Sequence, residues 1–243
     1  MSDRWTNCRI GITGANGTLG RALTRQLRAK GAVLIGLTHG PPPPDQPANE
    51  GPHEWVRWQC GQETALDSML ASLDVLVINH GINPQGRQTP QDLNTALEVN
   101  ALSSWRMMER FESIALEAKP GKRPREIWVN TSEAEIQPAL SPAYELSKRL
   151  IGQLVSLRSN NLSNDQRKAL RIRKLVLGPF RSDLNPIGLM SADLVANQVI
   201  CQAALGLRLI IVTPNPLTYL LMPLTELWRT LYSRLLRVEP KNS

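Results

Sequence analysis

Short apolar runs alternate with segments of helical spacing along most of the chain. The apolar runs predict strands at residues 8–13, 32–37, 55–60, 74–79, 126–131, 171–177 and 209–213. Apolar residues at helical spacing predict helices at residues 19–30, 63–72, 90–118, 142–158 and 192–205. Because parallel neighbouring strands need crossover helices, this alternation predicts a doubly wound parallel seven-stranded α/β sheet with helices on both faces.

Two segments fall outside that alternation. Residues 39–54 contain six prolines and two glycines, which predict a Pro-rich loop where a second helix would usually stand. Residues 216–238 carry leucines at helical spacing and predict a C-terminal amphipathic helix. Such a helix can pack on the core, form a dimer seam or lie on a membrane surface. The length suits a single domain spanning residues 1–243.

The charge balance is basic, with 28 basic and 21 acidic residues and a formal net charge of +7. Such a balance can favour nucleic acid, an anionic membrane surface or phosphorylated ligands. The basic residues are spread along the chain and are not interleaved with aromatic residues, as they would be in a strand-based RNA binder. We therefore expect a solvated basic surface and no nucleic-acid partner.

Cysteine usage and the length of apolar runs bear on the compartment. Cys8, Cys60 and Cys201 are far apart in the chain, which indicates neither a disulfide framework nor a zinc site, and we predict no metal. The N-terminus lacks an apolar stretch of signal-peptide length, and no apolar run reaches the roughly 18 residues of a membrane span. We expect a cytoplasmic protein, with membrane association through residues 216–238 left open.

Residues 13–20 join the first predicted strand to the first predicted helix and contain three glycines. Glycines at this point allow a tight turn and let a pyrophosphate approach the backbone N–H groups at the helix N-terminus. The position of the turn inside a βαβ unit therefore favours dinucleotide binding. The candidate cofactor-binding residues of the turn are Gly14, Asn16, Gly17, Thr18, Leu19 and Gly20.

The end of the second predicted strand bears on the choice of dinucleotide. NAD-preferring folds place an acidic side chain there, which accepts hydrogen bonds from the adenosine ribose. This chain has Thr38 and His39 instead, so no carboxylate stands there to repel a 2′-phosphate. With Thr38 as a candidate cofactor-binding residue, the sequence favours NADP(H) over NAD(H), and Arg21 or the Pro-rich loop would assist in holding the phosphate.

Six polar or small residues follow in a fixed order at later strand and helix positions. They are Asn79 and Gly81 after the fourth predicted strand, Asn100 in the long predicted helix, Ser132 after the fifth strand, and Tyr144 and Lys148 in the next helix. With the glycine turn, this set resembles the short-chain dehydrogenase/reductase family over residues 8–184. The resemblance implies a Rossmann fold, cofactor contacts by Asn79, Gly81 and Lys148, and a catalytic tetrad of Asn100, Ser132, Tyr144 and Lys148.

The tetrad has a physical explanation of its own. Tyr144 and Lys148 share a helical face, so the ammonium can lower the phenol pKa from its ordinary value of about 10. Tyr144 can then act as a general acid or base, while Ser132 holds the substrate oxygen against it. The resemblance implies that Asn100 positions a water linking Lys148 to solvent, and that a hydride passes between the nicotinamide and the carbonyl carbon.

The chain departs from the family pattern at several positions. Its glycine turn is spaced Gly-x-x-Gly-x-x-Gly, as in extended or atypical branches, and Cys60 begins the segment where many members place an Asp against the adenine. Glu133 and Glu135 follow Ser132 and either face solvent or bind a cationic substrate group. Residues 183–193 leave little room for a long helical lid, so the cleft is open or covered by another segment.

Three residues after the sixth predicted strand complete the candidate cofactor site. The family's Pro-Gly is replaced by Gly178 and Pro179, with Phe180 following. The resemblance implies that the backbone of these residues meets the carboxamide of the nicotinamide.

The sequence thus predicts an NADP(H)-dependent oxidoreductase that interconverts a carbonyl and an alcohol by hydride transfer, with Tyr144 as the general acid or base. Its small-molecule substrate is lipophilic if residues 216–238 lie on lipid, and we expect a homodimer or a larger homo-oligomer. Two alternatives remain open. One is a catalytically silent dinucleotide-binding sensor or scaffold, and the other is a peripheral membrane protein whose C-terminal helix is the functional part.

Overall fold

Seven parallel strands form one sheet in the order β3-β2-β1-β4-β5-β6-β7. The structure is a computed structural model that describes residues 4–42, 50–119, 121 and 123–235. The strands are β1 (Arg9–Thr13), β2 (Val33–Thr38), β3 (Glu54–Arg57), β4 (Val75–Ile78), β5 (Arg125–Ser132), β6 (Leu170–Leu177) and β7 (Leu209–Val212). Because β1 lies between β2 and β4, the strand order reverses there, and a crevice opens outside the carboxyl ends of β1 and β4.

Helices cover both faces of the sheet, so the predicted Rossmann fold is confirmed. The helices are α1 (Thr18–Ala29), α2 (Asp67–Ala71), α3 (Pro90–Leu97), α4 (Ser103–Glu117), α5 (Pro142–Asn161), α6 (Gln166–Ala169), α7 (Ala192–Ala204) and α8 (Pro216–Leu235). One face packs against α1 and α7, and their buried leucine, valine and alanine side chains form one cluster with β1 and β4. The other face packs against α2, α4 and α5.

Element boundaries differ from the prediction at a few places. The helix predicted over residues 90–118 consists of α3, a π-helical turn at Glu98–Leu102 and α4. The helix predicted over residues 63–72 is a 3₁₀ turn at Glu63–Leu66 followed by α2, and α6 was not predicted because four residues carry no readable period. Residues 43–49 of the Pro-rich loop and 236–238 of the predicted C-terminal helix lie outside the described residues.

An ion pair is buried at the amino end of the central strands. The guanidinium of Arg173 on β6 is fully buried and donates to both carboxylate oxygens of Glu126 on β5, at 2.7 and 2.8 Å. Trp128 donates its indole N–H to the same carboxylate at 2.8 Å, and Arg4 contacts it from the N-terminal segment at 2.7 Å. Burial raises the pKa of Glu126, but the hydrogen bonds and charge of Arg173 outweigh burial and hold that pKa below its ordinary value of 4.5.

We expect Arg173→Met to lower the free energy of unfolding by about 3 kcal/mol or more, because it leaves a buried carboxylate without its main partner. Denaturant unfolding measures this loss. The double variant Glu126→Met/Arg173→Met should recover much of it, since the uncompensated charge is then gone. In the wild-type protein the contribution of Glu126 is present above pH 4.5 and is lost as the pH falls through the lowered pKa. Equal stability of the Arg173→Met and wild-type proteins at neutral pH would contradict this expectation.

Candidate active site

A cleft of about 950 Å³ lies at the carboxyl ends of β1, β4, β5 and β6. Its walls come from the glycine turn after β1, the loop after β4, the end of β5, the start of α5 and the loop after β6. Parallel strands end together at this edge, and ligands of doubly wound folds bind there. The fold therefore brings the glycine turn and the predicted catalytic residues to one cavity.

The glycine turn is compact and leaves no room for a side chain at Gly14 or Gly20. Gly14 has a φ of +61°, and a Cβ there would lie 3.0 Å from the His80 Cα. A Cβ on Gly20 would lie 2.2 Å from the carbonyl oxygen of Gly14, so the first turn of α1 packs directly on the glycine turn. Gly14, Gly17, Thr18 and Leu19 line the cleft, whereas Gly20 is buried beneath the turn.

The N-terminus of α1 suits a bound phosphate. Gly17 caps the helix without a side-chain hydrogen bond, and the first turn contains no acidic residue. The backbone N–H groups of that turn are therefore available to an anion, which the helix dipole also favours. Among the described residues, none pairs with the buried Oδ1 of Asn16, while the Asn16 carbonyl oxygen accepts from Arg21 Nε at 2.6 Å. The free backbone N–H groups and the absence of an acidic side chain fit the pyrophosphate of a dinucleotide, whereas the two Asn16 oxygens are acceptors and do not contribute.

A chain of hydrogen bonds crosses the ends of three neighbouring strands. Asn79 Nδ2 donates to the Gly14 carbonyl oxygen at 3.4 Å, and Asn79 Oδ1 accepts from Asn130 Nδ2 at 2.9 Å. The Asn130 carbonyl oxygen in turn accepts from Lys148 Nζ at 3.0 Å. This strand-end chain fixes the Lys148 ammonium relative to the glycine turn.

Tyr144, Lys148 and Ser132 converge on the cleft as predicted. Lys148 is 5% exposed and its Nζ lies 5.7 Å from the centroid of the Tyr144 ring. Ser132, at the end of β5, is hydrogen-bonded to the phenol and also accepts from the Ala134 backbone N–H at 3.2 Å. Pro142 occupies the first turn of α5 and starts the helix that carries Tyr144 and Lys148.

The protonation of these groups differs from the expectation in one respect. The pKa of Tyr144 is raised, because burial outweighs the hydrogen bond with Ser132 and the Glu133 carboxylate adds to the rise. The expected lowering by Lys148 is not found, since its ammonium is directed to the Asn130 carbonyl oxygen rather than to the phenol. Burial lowers the pKa of Lys148 to about 8, and Glu135 opposes that shift. Lys148 therefore remains mostly protonated at neutral pH.

Asn100 lies in the π-helical turn between α3 and α4 and its side chain is fully engaged. Its Oδ1 accepts from the Ile82 backbone N–H at 2.7 Å, and its Nδ2 donates to the Ile82 carbonyl oxygen at 3.0 Å and to Ser147 Oγ at 2.8 Å. A Cβ on Gly81 would lie 3.0 Å from the same Oδ1. The Asn100 side chain thus ties the loop after β4 to α5, one residue before Lys148.

His80, between Asn79 and Gly81, is buried and does not act as a proton carrier at neutral pH. Its Nδ1 lies 2.8 Å from Thr13 Oγ1, and its ring packs edge-on against Trp58. Burial is the main cause that lowers its pKa to about 3, and the charges of His39 and Lys148 add to it. These contacts indicate that His80 packs the wall of the cleft.

The Arg57 guanidinium on β3 lies at the end of β2, and sequence analysis did not predict a cation at this place. Thr38 is buried, while His39 lines the cleft and its ring stacks at 4.6 Å on Trp58. Arg57, paired with Thr38 in the register of β2 and β3, donates from Nε to the His39 carbonyl oxygen at 3.2 Å. Arg57 reaches the end of β2 only through the pairing of β3 with β2. Because β3 has only four residues, its register with β2 cannot be predicted from the sequence.

The loop after β6 forms the opposite wall of the cleft. Gly178, Pro179 and Phe180 all line it, as predicted. Instead of a helical lid, residues 181–190 fold back so that the Leu189 N–H donates to the Pro179 carbonyl oxygen at 2.9 Å. The Leu184 carbonyl oxygen accepts from Asn83 Nδ2 at 3.2 Å, which joins this loop to the one after β4 across the cleft.

Comparison with known proteins agrees with this geometry. Residues 10–153 match the family described as the NAD dependent epimerase/dehydratase family. A monoglucosyldiacylglycerol epimerase from Synechocystis sp. is 43% identical over 228 residues, covering 93% of this chain and 54% of that protein. The chain belongs to the NAD dependent epimerase/dehydratase family. It spans about half the length of this curated relative.

Solved structures share the fold of this epimerase/dehydratase family member. A short chain dehydrogenase from Burkholderia cenocepacia, solved in complex with NADP, has a TM-score of 0.73 at 18% identity, covering 96% of this chain and 98% of that one. Ligand-free aldohexose dehydrogenase from Thermoplasma acidophilum has a TM-score of 0.70 at 15% identity, covering 86% and 93%. The resemblance to short-chain dehydrogenases is thereby confirmed, including its extended branch.

The two carboxylates after Ser132 have different places, and neither simply faces solvent. Glu133 lines the cleft, and its Oε2 accepts from Thr213 Oγ1 at 2.5 Å and from Thr218 Oγ1 at 3.2 Å. Glu135 is buried away from the cleft and pairs with Lys174 at 2.6 Å. Glu133 is therefore the carboxylate that a substrate in this family member's cleft would meet.

No cluster of three or more His, Cys, Asp or Glu residues that could hold a metal ion occurs in the part of the chain that the structure describes. Cys8, Cys60 and Cys201 are free thiols. Within the same ranges, none of the helices is long and apolar enough to cross a membrane.

We expect Glu133→Gln to lower the pKa of Tyr144, because it removes a negative charge that disfavours the phenolate. The amide oxygen of Gln can still accept from Thr213 and Thr218, so the local structure should be kept. The protein has three tyrosines, and a Tyr219→Phe/Tyr232→Phe background leaves Tyr144 as the only one. Its ionisation can then be followed by phenolate absorbance.

The exposed Glu109→Gln variant serves as the matched control and should leave that titration unchanged. An unchanged or higher pKa in Glu133→Gln would contradict the assigned charge interaction.

Proposed function

We propose that this protein is a dinucleotide-dependent epimerase that inverts one secondary alcohol in the sugar head group of a diacylglycerol glycolipid. The observation that carries the proposal is the convergence of Ser132, Tyr144 and Lys148 in one cleft with the glycine turn. Its 43% identity to a monoglucosyldiacylglycerol epimerase over almost the whole chain supports both the reaction type and the substrate class.

Inversion of a secondary alcohol requires that the hydroxyl oxygen lose a proton while the carbon loses a hydride from one face, and that a hydride return to the opposite face of the carbon while the oxygen regains a proton. A bound nicotinamide dinucleotide, held by the glycine turn and by residues 178–180, supplies the hydride acceptor and donor. Ser132 hydrogen-bonds the reacting oxygen and holds it beside the phenol. Tyr144 takes the hydroxyl proton as the alcohol becomes a ketone, and returns it as the inverted alcohol forms.

Two charged residues, Lys148 and Glu133, line the cleft together with Tyr144. Lys148, held by the Asn130 carbonyl oxygen, places a positive charge in the same cleft as Tyr144, 5.7 Å from the centroid of its ring. Glu133 lies in the same wall and presents a carboxylate, which suits hydrogen bonds from sugar hydroxyls. The cavity of about 950 Å³ is wide enough for a hexose ring to turn its second face toward the hydride.

We expect purified protein, supplied with monoglucosyldiacylglycerol in detergent micelles and a catalytic amount of NADP⁺ or NAD⁺, to form an isomer of equal mass without net consumption of the dinucleotide. Tyr144→Phe should lose this activity by about a thousandfold, because the proton carrier is removed, while dinucleotide binding is kept. Chromatographic separation of the two glycolipids measures the first outcome, and cofactor fluorescence measures the second.

Tyr232→Phe, on the exposed face of α8, is the control and should retain full activity. A ketone product with stoichiometric reduction of the dinucleotide would assign a net oxidoreductase instead. Equal turnover by wild type and Tyr144→Phe would remove the proposed mechanism altogether.

We also propose that NADP(H) is preferred over NAD(H). The end of β2 offers no carboxylate, and both Arg57 and Arg21 lie beside the segment where the adenosine ribose of a Rossmann fold binds. A guanidinium at this position favours a 2′-phosphate. A solved structural neighbour contains NADP, which is consistent with this preference.

Arg57→Ala should weaken NADPH binding by about tenfold and leave NADH binding nearly unchanged, because only the former carries the 2′-phosphate. Titration of cofactor fluorescence compares the two ligands. Lys168→Ala removes an exposed cation before β6, at the opposite edge of the sheet, and should change neither affinity. An equal loss for NADPH and NADH in Arg57→Ala would show that the arginine acts on structure rather than on the phosphate.

A further inference from the structure

The C-terminal helix α8 has its polar side turned inward and its apolar side turned outward. The stripe toward the domain contains Thr218, Met222, Glu226 and Arg229, which are buried or half-buried. The outward face exposes large apolar side chains: Leu217, Leu220, Leu221, Leu224, Leu227, Trp228, Leu231, Tyr232 and Leu235. A helix that faced only water would have the opposite arrangement.

A buried ionic network holds α8 in this orientation. Lys174 Nζ on β6 donates to Glu226 at 2.9 Å, to Ser156 Oγ at 2.9 Å and to the Gly152 carbonyl oxygen at 3.0 Å, and it pairs with Glu135. Arg229 also contacts Glu226, at 3.1 Å. Rotation of α8 to bury its leucines would take Glu226 away from Lys174 and Ser156, so that the buried Lys174 ammonium would keep only one of its two carboxylate partners. The apolar face is therefore fixed outward.

The rim of the cleft also carries exposed apolar side chains, and the start of α8 lies next to it. Gln137 hydrogen-bonds Thr218 and Asn215 at the start of α8, at 3.0 and 2.8 Å. Three residues further on, Leu140 lines the cleft and is 91% exposed. Ile187 and Leu189, on the loop after β6, line the same cleft and are 76% and 77% exposed. The rim of the cleft thus exposes apolar side chains, and one of them, Leu140, follows a segment that contacts the start of α8.

We propose that the outward face of α8 and this apolar rim form one surface that lies on a lipid bilayer. The inference rests on the proposed function, since a glycolipid whose acyl chains stay in the membrane reaches the cleft only if the rim meets the membrane. The face consists of leucines with one Trp and one Tyr, a composition typical of helices lying in the membrane interface. Protein-protein hot spots, in contrast, are poor in leucine. The net charge of +7 favours an anionic lipid surface.

Vesicle flotation tests this surface without any turnover. The full chain should float with vesicles of phosphatidylcholine containing phosphatidylglycerol as the minor lipid. Leu224→Gln/Leu227→Gln removes two apolar side chains, 53% and 55% exposed, and should lower the partition coefficient by about tenfold or more. Leu205→Gln/Leu207→Gln, at the amino edge of the sheet with 71% and 44% exposure, is the matched control and should float like wild type.

Cofactor fluorescence should be unchanged in both double variants, which shows that each is folded. Failure of the wild-type chain to float, or equal loss in the two double variants, overturns the proposal. So does a concentration-dependent dimer that only Leu224→Gln/Leu227→Gln dissolves, in the absence of vesicle binding, since a second copy then covers the face. Flotation without epimerase activity would refute the proposed reaction and leave the membrane surface standing.

Discussion

The site depends on one constraint: a lysine ammonium must be held, charged and nearly dry, at a fixed place above the ends of the parallel strands. The strand-end chain meets this constraint by passing from Gly14 through Asn79 and Asn130 to Lys148. The first two links join the ends of neighbouring strands and the third joins β5 to Lys148 on α5, so the spacing of β1, β4 and β5 sets the position of the carbonyl oxygen that holds the ammonium. Burial lowers the pKa of Lys148, and without that carbonyl acceptor the buried charge would be still less favourable.

The same constraint explains why the side chains around Lys148 are fully engaged. Asn100 secures the loop after β4 to α5 from a π-helical turn, a local irregularity that often marks functional positions in helices. Gly81 is small because a Cβ would crowd that amide. These contacts hold the loop after β4 and α5, which both line the cleft, in one arrangement.

Sequence reasoning recovered the fold from periodicity, and it recovered the groups that converge from the likeness of their order along the chain to the short-chain dehydrogenase/reductase family. That Tyr144 and Lys148 share one face of a helix follows from their spacing of four residues. Asn130 could also have been found, since strand alternation places it on the same side as Ser132. Arg57, the role of Glu133 and the raised pKa of Tyr144 could not, because they depend on strand register, on contacts between distant segments and on the balance between burial and charge. The inverted polarity of α8 was hidden for the same reason, since its apolar stripe is equally compatible with a core helix.

Glu133 connects the chemistry to α8. Its carboxylate contributes to the raised pKa of Tyr144, and it accepts from Thr218 in the first turn of α8. Any movement of α8 relative to the sheet would break or shift the hydrogen bond from Thr218 to that carboxylate. The carboxylate could then move relative to the Tyr144 phenol, and its effect on the phenol pKa would change. The Lys174 network opposes such movement, because Glu226 is bound to groups on both α5 and β6. The polar stripe of α8 therefore supports the wall of the cleft through Glu133 and Lys174. Within the described part of the chain, the apolar stripe makes no such contact and is available to the lipid surface proposed above.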